Sequence, residues 1–282
     1  MQNQDKELIA KWSESAPFWE KYRAVVHEMF APVTQALVED AGVAVGSTVL
    51  DVATGPGEPA LSIAEPLGTH GKVVGTDIVP QMVEAARREA SRRKLQNASF
   101  EVAFSESLPF PDNTFDAAVS RFGAMFFPSP VDCVREILRV LKPGGRLALA
   151  VWHSAEKNPF DSVVSQVVAR YVESPPPEPG ALEMFRFAKS GDLMLVLLGA
   201  GITLASERVL RFSIRASVSK EDFWTLRREI SERLRTKLAL LTEPQLAELN
   251  REVIEAFGPY SSEAGMSFPA EVLIVSGAKK RP

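Results

Sequence analysis

Val49-Leu50-Asp51-Val52-Ala53-Thr54-Gly55-Pro56-Gly57-Glu58-Pro59-Ala60-Leu61 is the stretch on which the reading of the whole chain turns. Val49 to Ala53 is short, apolar and partly β-branched, the pattern of a strand covered on both faces of a sheet. Gly55 and Gly57 allow a sharp turn and let a ligand approach where a Cβ would clash. Pro59 suits the first turn of a following helix, where its missing N–H costs nothing. The free N–H groups at that helix start favour an electron-rich ligand. A cofactor is therefore expected over the loop at 53–58.

Upstream, Gly42 to Gly46 turns into this strand, and residues 5–41 read as helices. Trp12, Phe18, Trp19 and Tyr22 crowd one short segment there. Such aromatics face a core or, as for Trp19, close over a bound ligand, and a leading helix across the mouth of a sheet would do both. Downstream, residues 60–67 read as a helix ended by Pro66 and Gly68. Lys72 to Thr76 is a second strand, and a helix opens at Pro80 and runs to about Lys94. Asp77 stands 22 residues after Gly55 (77 − 55), at the tip of that second strand. Parallel-strand geometry places it beside the glycine loop. A carboxylate there accepts hydrogen bonds from both hydroxyls of a ribose or caps the helix after Pro80. Arg87, Arg88, Arg92, Arg93 and Lys94, interleaved with Glu84 and Glu89, read as a solvated face with local ion pairs.

Ser99 to Phe104 is a third strand, followed by a two-proline loop from Ser105 to Asn113. Phe115 to Ser120 is a fourth, leading into Arg121-Phe122-Gly123. Val131 to Leu141 is a helix, Lys142-Pro143-Gly144-Gly145 a tight turn, and Arg146 to Trp152 a fifth strand. This alternation predicts an α/β fold with a doubly wound, mostly parallel sheet and right-handed crossovers. Residues 154–173 read as a helix and Ser174 to Gly180 as a stiff extended linker. Leu193 to Leu198 is an apolar helix, Ile202 to Ser217 a strand, Lys220 to Phe257 two or three helices, and Pro269 to Gly277 a last strand. The helical stretch 219–264 lies between two strands and is expected outside the sheet, as a cap.

A chain of 282 residues suits one large domain or a domain with a cap. An apolar share of 45% is ample for a core. The net charge of −4 weighs against a nucleic-acid partner held through its phosphates. A lone cysteine, Cys133, leaves no internal disulfide framework and no cysteine-based zinc site, and its helical setting reads as plain burial. Met1 to Glu7 is polar and lacks the apolar core of a signal peptide. The longest apolar run, Leu193 to Ile202, falls short of the roughly 20 residues a membrane span needs. These features predict a soluble, cytoplasmic protein with no membrane insertion and no metal. They leave its oligomeric state open.

In combination the segments resemble the class I S-adenosylmethionine-dependent methyltransferases, and among them the branch related to ubiquinone and menaquinone C-methyltransferases. Asp51 to Gly57 is similar to the first motif of that family, acidic-x-Gly-x-Gly-x-Gly, with Ala53 at the first glycine. Gly75-Thr76-Asp77-Ile78 resembles the second motif, Leu108 to Asp116 the third, and Arg139 to Leu147 the turn before strand five. The resemblance is strong over residues 45–153 and weak elsewhere. It implies a seven-stranded sheet in the order 3-2-1-4-5-7-6, with strand 7 antiparallel. It implies a single methyltransferase domain over 1–282, with leading helices at 1–44, a cofactor-binding half at 45–153 and a substrate-side half at 154–282 that carries the cap 219–264. It also implies S-adenosylmethionine as cofactor, held by Asp51, Ala53, Thr54, Gly55, Gly57, Asp77, Ile78, Ser105, Glu106, Arg121 and Trp19. One position departs from the family. The aspartate that bonds the adenine amino group is Phe104 here, so the Ser105 backbone or hydroxyl, or Glu106, would have to replace it.

Methyl transfer from a sulfonium is an in-line displacement, for which positioning supplies roughly 7–11 kcal/mol of the barrier. A base helps if the acceptor is a hydroxyl, a phenol or a carbon acid. His153, after the fifth strand at the carboxyl edge where ligands bind, is the candidate base or substrate contact, or else a loop residue. His27 and His70 are lesser candidates. Arg121, at the same edge, is expected to steer an anionic substrate or the cofactor carboxylate. The acceptor is expected to be a small molecule. Two competing readings stand beside this one. Gly55-x-Gly57-x-x-Ala60 also fits the dinucleotide fingerprint of a nicotinamide-dependent oxidoreductase, and a protein can bind S-adenosylmethionine without turnover.

Overall fold

Val49 to Val52 forms the buried part of strand β1 (Thr48–Val52), the first strand of the sheet. The computed structural model describes residues 3–173 and 180–281, so the proline-rich run 174–179 of the expected linker lies outside the described residues. Two helices precede β1, α1 (Asn3–Lys21) and α2 (Arg23–Asp40). After it come α3 (Ala60–Leu67), β2 (Lys72–Asp77), α4 (Pro80–Arg92), β3 (Ala98–Val102), β4 (Phe115–Arg121), α5 (Pro130–Val140) and β5 (Leu141–Trp152). The rest of the chain supplies α6 (Pro159–Val168), α7 (Asp192–Gly199), β6 (Ala205–Ala216), α8 (Lys220–Ile230), α9 (Glu232–Leu238), α10 (Glu243–Ala256), β7 (Ser261–Ser262) and β8 (Gly265–Ala278).

The sheet runs β3-β2-β1-β4-β5-β8-β6, parallel from β3 through β5 and antiparallel between β5 and β8. This is the expected order, with β8 as the antiparallel strand. Its strands number eight rather than seven, because Ser261 and Ser262 form β7, a two-residue ladder against Met266 and Gly265. Two residues are too few to show any alternation in the sequence.

Two further segments differ from expectation. Lys142 to Gly145 is not a turn ahead of the fifth strand but part of β5. The register jumps from Phe115↔Leu141 to Ala117↔Arg146, so the extra residues form an irregularity inside the ladder. Gly144, at φ +81°, takes up the bend, and Lys142 Nζ anchors it on Asp116 Oδ1 at 2.7 Å. The helix expected over 154–173 is broken into a short 3-10 turn and α6. Asn158 causes the break: fully buried, it donates from Nδ2 to Ser154 O and Glu271 O and accepts Glu271 N–H on Oδ1. Pro159 then opens α6, in a position where a missing N–H costs nothing.

The chain divides into two compact units. One comprises Met1–Phe30, Ser154–Ala181 and Arg211–Glu271. Within it α1 packs on α8 and α9, and α6 on α10. Glu229 accepts from Lys21 Nζ and Tyr22 Oη, both at 2.6 Å, and Arg235 lies over the Phe18 ring. Phe223, Phe257 and Phe268 form an aromatic core. The helices expected as a cap belong to this unit.

The other unit comprises Ala31–His153, Leu182–Leu210 and Val272–Pro282. It contains the parallel strands, and its core is built from Leu50, Val119, Leu149 and Ile137 with their neighbours, all buried. The Leu-Pro-Phe-Pro-Asp loop is held here by one side chain. Arg139, on α5, donates to Leu108 O, Phe110 O and Asp112 Oδ1, and it is also paired with Glu136, which in turn accepts the Leu108 N–H. Replacing Arg139 by alanine strands two carbonyls and two carboxylates at once. The expected loss is about 2–4 kcal/mol of unfolding free energy, measured by urea denaturation. No helix among the described residues is long and apolar enough to cross a membrane.

Candidate functional site

The strand tips of β1, β2, β4 and β5 share one edge of the sheet, and the glycine loop leaves β1 there. Asp51 is fully buried at this tip. Its Oδ2 accepts from Thr54 Oγ1 at 2.6 Å and from the Ala60 N–H at 3.0 Å, which closes the loop onto the start of α3. Its Oδ1 is buried and has no hydrogen-bond partner. Pro59 is the residue before α3 rather than within its first turn.

Ala53 sits at φ +59°, in the left-handed region that costs a non-glycine residue about 1–2 kcal/mol. Phe122, at the tip of β4, is likewise at φ +64°, and its ring stacks on Trp152 at 4.3 Å. Strained backbone at two neighbouring strand tips is a mark of a functional edge. The two glycines of the loop do different work. A Cβ on Gly57 would lie 2.6 Å from Leu61 Cδ1, so this glycine serves packing of the loop on α3. A Cβ on Gly55 would meet nothing within 4 Å, so open space lies over its backbone.

Asp77 joins the loop across the β1–β2 register. Its Oδ2 accepts the Gly55 N–H at 2.8 Å and its Oδ1 the Val79 N–H at 3.0 Å. The carboxylate therefore braces the glycine loop and the entry to α4 together, and it keeps lone-pair capacity for a further donor. Ile78 follows it, half-buried. Beyond the end of β3, Ser105 Oγ lies 3.0 Å from Glu106 Oε2 and 3.2 Å from Cys133 Sγ. Cys133 is buried, as expected, and burial pushes its thiol up to about 12.

Arg121, expected to steer an anionic substrate or the cofactor carboxylate, is buried at the tip of β4. It is 9% exposed, donates to Thr34 Oγ1 at 2.9 Å, and directs its charge at Glu58 and Asp51. His153 directly follows β5, half-buried. Trp19 belongs to the other unit. It neighbours Trp12 in α1, with ring centroids 6.2 Å apart, and its buried Nε1 has no hydrogen-bond partner. A surface depression of about 580 Å³ lies at the opposite edge of the sheet, lined by Lys72 and Lys94 among others, and of the candidate residues it includes only His70.

Glu58 is a member of the site that sequence reasoning misses. It is 6% exposed and pairs with Arg93 at 3.2 Å, and Arg93 bonds the buried Glu89 at 2.7 Å. The basic run on α4 is thus only partly a solvated face, because Arg93 ties it to the glycine loop. Glu58 lies in the deciding stretch, but a partner 35 residues away leaves no local signal. Among the described residues no group of three or more His, Cys, Asp or Glu side chains is placed to hold a metal ion.

Burial pushes Asp51 up to about 7, against the bond from Thr54, the Arg121 charge and the bond from Ala60 N–H. Burial likewise raises Asp77 to about 6, against the Val79, Gly55 and Ile78 N–H groups. Both carboxyls bind protons more tightly folded than unfolded. Their contribution to stability is complete below the ordinary value of 3.8 and is lost as pH rises through about 6 and then about 7. Glu136, held down by Arg139, and Glu229, held down by Lys21 and Tyr22, have the opposite sign and lose stability as pH falls. The melting temperature should therefore peak at about pH 4–5 and fall toward pH 8 in scanning calorimetry.

These residues fit S-adenosylmethionine: an open glycine backbone, a buried carboxylate oxygen awaiting a donor, and a second carboxylate with free lone pairs. Comparison with known proteins agrees. The family model described as "Methyltransferase domain" matches residues 44–174. Aklanonic acid methyltransferase DauC of Streptomyces sp. (strain C5) is 36% identical over 43% of this chain and 55% of its own length. The ubiquinone/menaquinone biosynthesis C-methyltransferase UbiE of Pseudomonas fluorescens is 37% identical over 48% of this chain and 51% of its own. The chain thus spans about half the length of the curated relatives it matches. The crystal structure of YcgJ from Bacillus subtilis shares the fold, with a TM-score of 0.56 at 20% identity over 88% of this chain and 98% of that one. With the glycine loop, Asp77 and the sheet order in place, residues 44–174 match the methyltransferase-domain family model and are similar to these S-adenosylmethionine-dependent methyltransferases.

Proposed function

We propose that the protein transfers the methyl group of S-adenosylmethionine to a small-molecule acceptor by in-line displacement. The observation that carries this reading is the glycine loop itself, with space over Gly55 and the unpartnered Asp51 Oδ1 beneath it. Bound there, S-adenosylmethionine supplies a methyl already activated by a positive sulfur. Ala53, Thr54, Gly55 and Gly57 shape the cradle, and Asp51 takes the ammonium of the amino-acid tail. Asp77 accepts from the ribose hydroxyls and Ile78 lies along the adenine. Ser105 and Glu106 serve the adenine end, where Phe104 offers no acceptor. His153, at the same edge, holds or removes a proton if the acceptor carries one. Two relatives whose names include aklanonic acid and ubiquinone/menaquinone biosynthesis support an acceptor of small, partly apolar character.

Calorimetric titration with S-adenosylhomocysteine and with a nicotinamide dinucleotide, followed by transfer of labelled methyl to a panel of small phenols, quinols and carbon acids, tests the reading. Binding of the first ligand alone and label in a small acceptor are expected. Binding of the dinucleotide instead would overturn it, and tight cofactor binding with no transfer would leave a binding protein.

A further inference from the structure

The buried groups beneath the glycine loop leave one carboxylate oxygen uncompensated. Asp51 Oδ2 accepts from Thr54 and Ala60, and Oδ1 has no partner. From β4, Arg121 faces both Asp51 and Glu58. Glu58 also pairs with Arg93, just past α4, and accepts from the Ser62 hydroxyl, while Arg93 pairs with Glu89 as well. Arg121 therefore divides its charge between two buried carboxylates. Arg92, which also pairs with Glu89, is 72% exposed, where solvent screens it. From β2 the Thr76 hydroxyl reaches the Asp51 carbonyl, not its carboxyl. Asp77 stands on the other side of the loop, on the Gly55 N–H.

A buried carboxyl in this position takes up a proton rather than remain charged and uncompensated. Resting on the reading above, we propose that S-adenosylmethionine binding expels a proton from Asp51, whose place the ligand's ammonium takes, and that Arg121 sets the pH of this exchange. The carboxyl O–H bond breaks, the proton passes to bulk water, and an ammonium–carboxylate hydrogen bond replaces it without any covalent bond to the ligand. Arg121 touches no ligand atom in this scheme. It is a positioning residue that acts through Asp51. Burial holds Asp51 at about 7 with Arg121 in place, so the exchange falls in the neutral range.

The test is calorimetry of S-adenosylhomocysteine binding to the whole protein in buffers of different ionisation enthalpy. About half a proton should be released per site at pH 7 and almost none at pH 8.5, with affinity about tenfold weaker at pH 6 than at pH 8. Methylthioadenosine keeps the ribose and adenine but lacks the ammonium, and should release less than about a fifth of a proton at pH 7. Arg121→Met should move the exchange at least about one pH unit upward, costing about threefold or more in affinity at pH 7.5 that returns at higher pH. Arg121→Lys should restore the original midpoint. A merely structural Arg121 would weaken binding equally at every pH. If the methionine variant does not fold, the proton count of the unaltered protein decides. Tight binding with no proton released between pH 6 and 7.5, or a pH-independent loss in the variant, overturns the inference while leaving the methyltransferase reading intact. No binding at all removes both.

Discussion

Asp77→Ala should weaken S-adenosylhomocysteine binding by about a hundredfold or more while the protein still folds. The carboxylate makes two bonds that define the loop, to Gly55 N–H and Val79 N–H. Hydrogen bonds to a charged group contribute about 1.5–3 kcal/mol each, and a hundredfold in affinity corresponds to about 2.7 kcal/mol. Alanine removes both the brace and the acceptor proposed for the ribose. The residue is half-buried, so water replaces part of the bracing, and the expected stability loss is smaller, about 1–3 kcal/mol. Asp77→Asn keeps the shape of the side chain but must turn an NH2 toward one N–H donor, so an intermediate loss of about tenfold is expected. Calorimetric titration against unfolding curves separates the two effects. Affinity within about threefold of the parent in Asp77→Ala would remove Asp77 from the site.

The second large effect concerns Gly123, which follows the strained Phe122. A Cβ there would lie 2.5 Å from Ala53 Cβ and 2.6 Å from Ser120 Oγ. Neither neighbour is a flexible end: Ala53 Cβ is fixed to a backbone at φ +59°, and Ser120 is fully buried. Gly123→Ala should therefore cost about 2–3 kcal/mol and displace the glycine loop, so that cofactor binding fails as well. Ala53→Gly removes both the opposing methyl and the left-handed strain. Alone it should be neutral or slightly stabilising, because relief of about 1–2 kcal/mol of strain outweighs the backbone entropy of glycine. Together the two substitutions should recover at least half of the loss, a coupling of about 1 kcal/mol or more. Strict additivity in urea unfolding would show that the contact between the β1 and β4 tips is not what constrains Gly123.

The two residues differ in how plainly the sequence announces them. Asp77 is readable because parallel pairing converts a sequence offset into a spatial one: Asp51↔Gly75 in the β1–β2 register brings the tip of β2 beside the loop. Gly123 carries no such signal, since its constraint comes from Ala53, beyond the tip of another strand. Arg121 is readable only as a cation at the strand edge; its bond to Thr34 on α2 and its facing of the Asp51 and Glu58 carboxylates come from the tertiary structure. Lys142 to Gly145 has the composition of a turn, whereas its place in the β4–β5 ladder and its anchor on Asp116 make it an irregular part of a strand.

The amino-acid sequence alone determined the order of elements, the parallel sheet, the glycine loop and the acid at the tip of β2. Each of these rests on contacts within a few residues or on the fixed period of a strand, so local chemistry suffices to write them. Tertiary structure alone decided which charges are buried, which carboxylate oxygen is left without a partner, and that Arg93, 35 residues on, braces Glu58. Burial is set by whichever elements happen to cover a side chain, and the ionisation of Asp51 follows from that cover rather than from its neighbours in the chain.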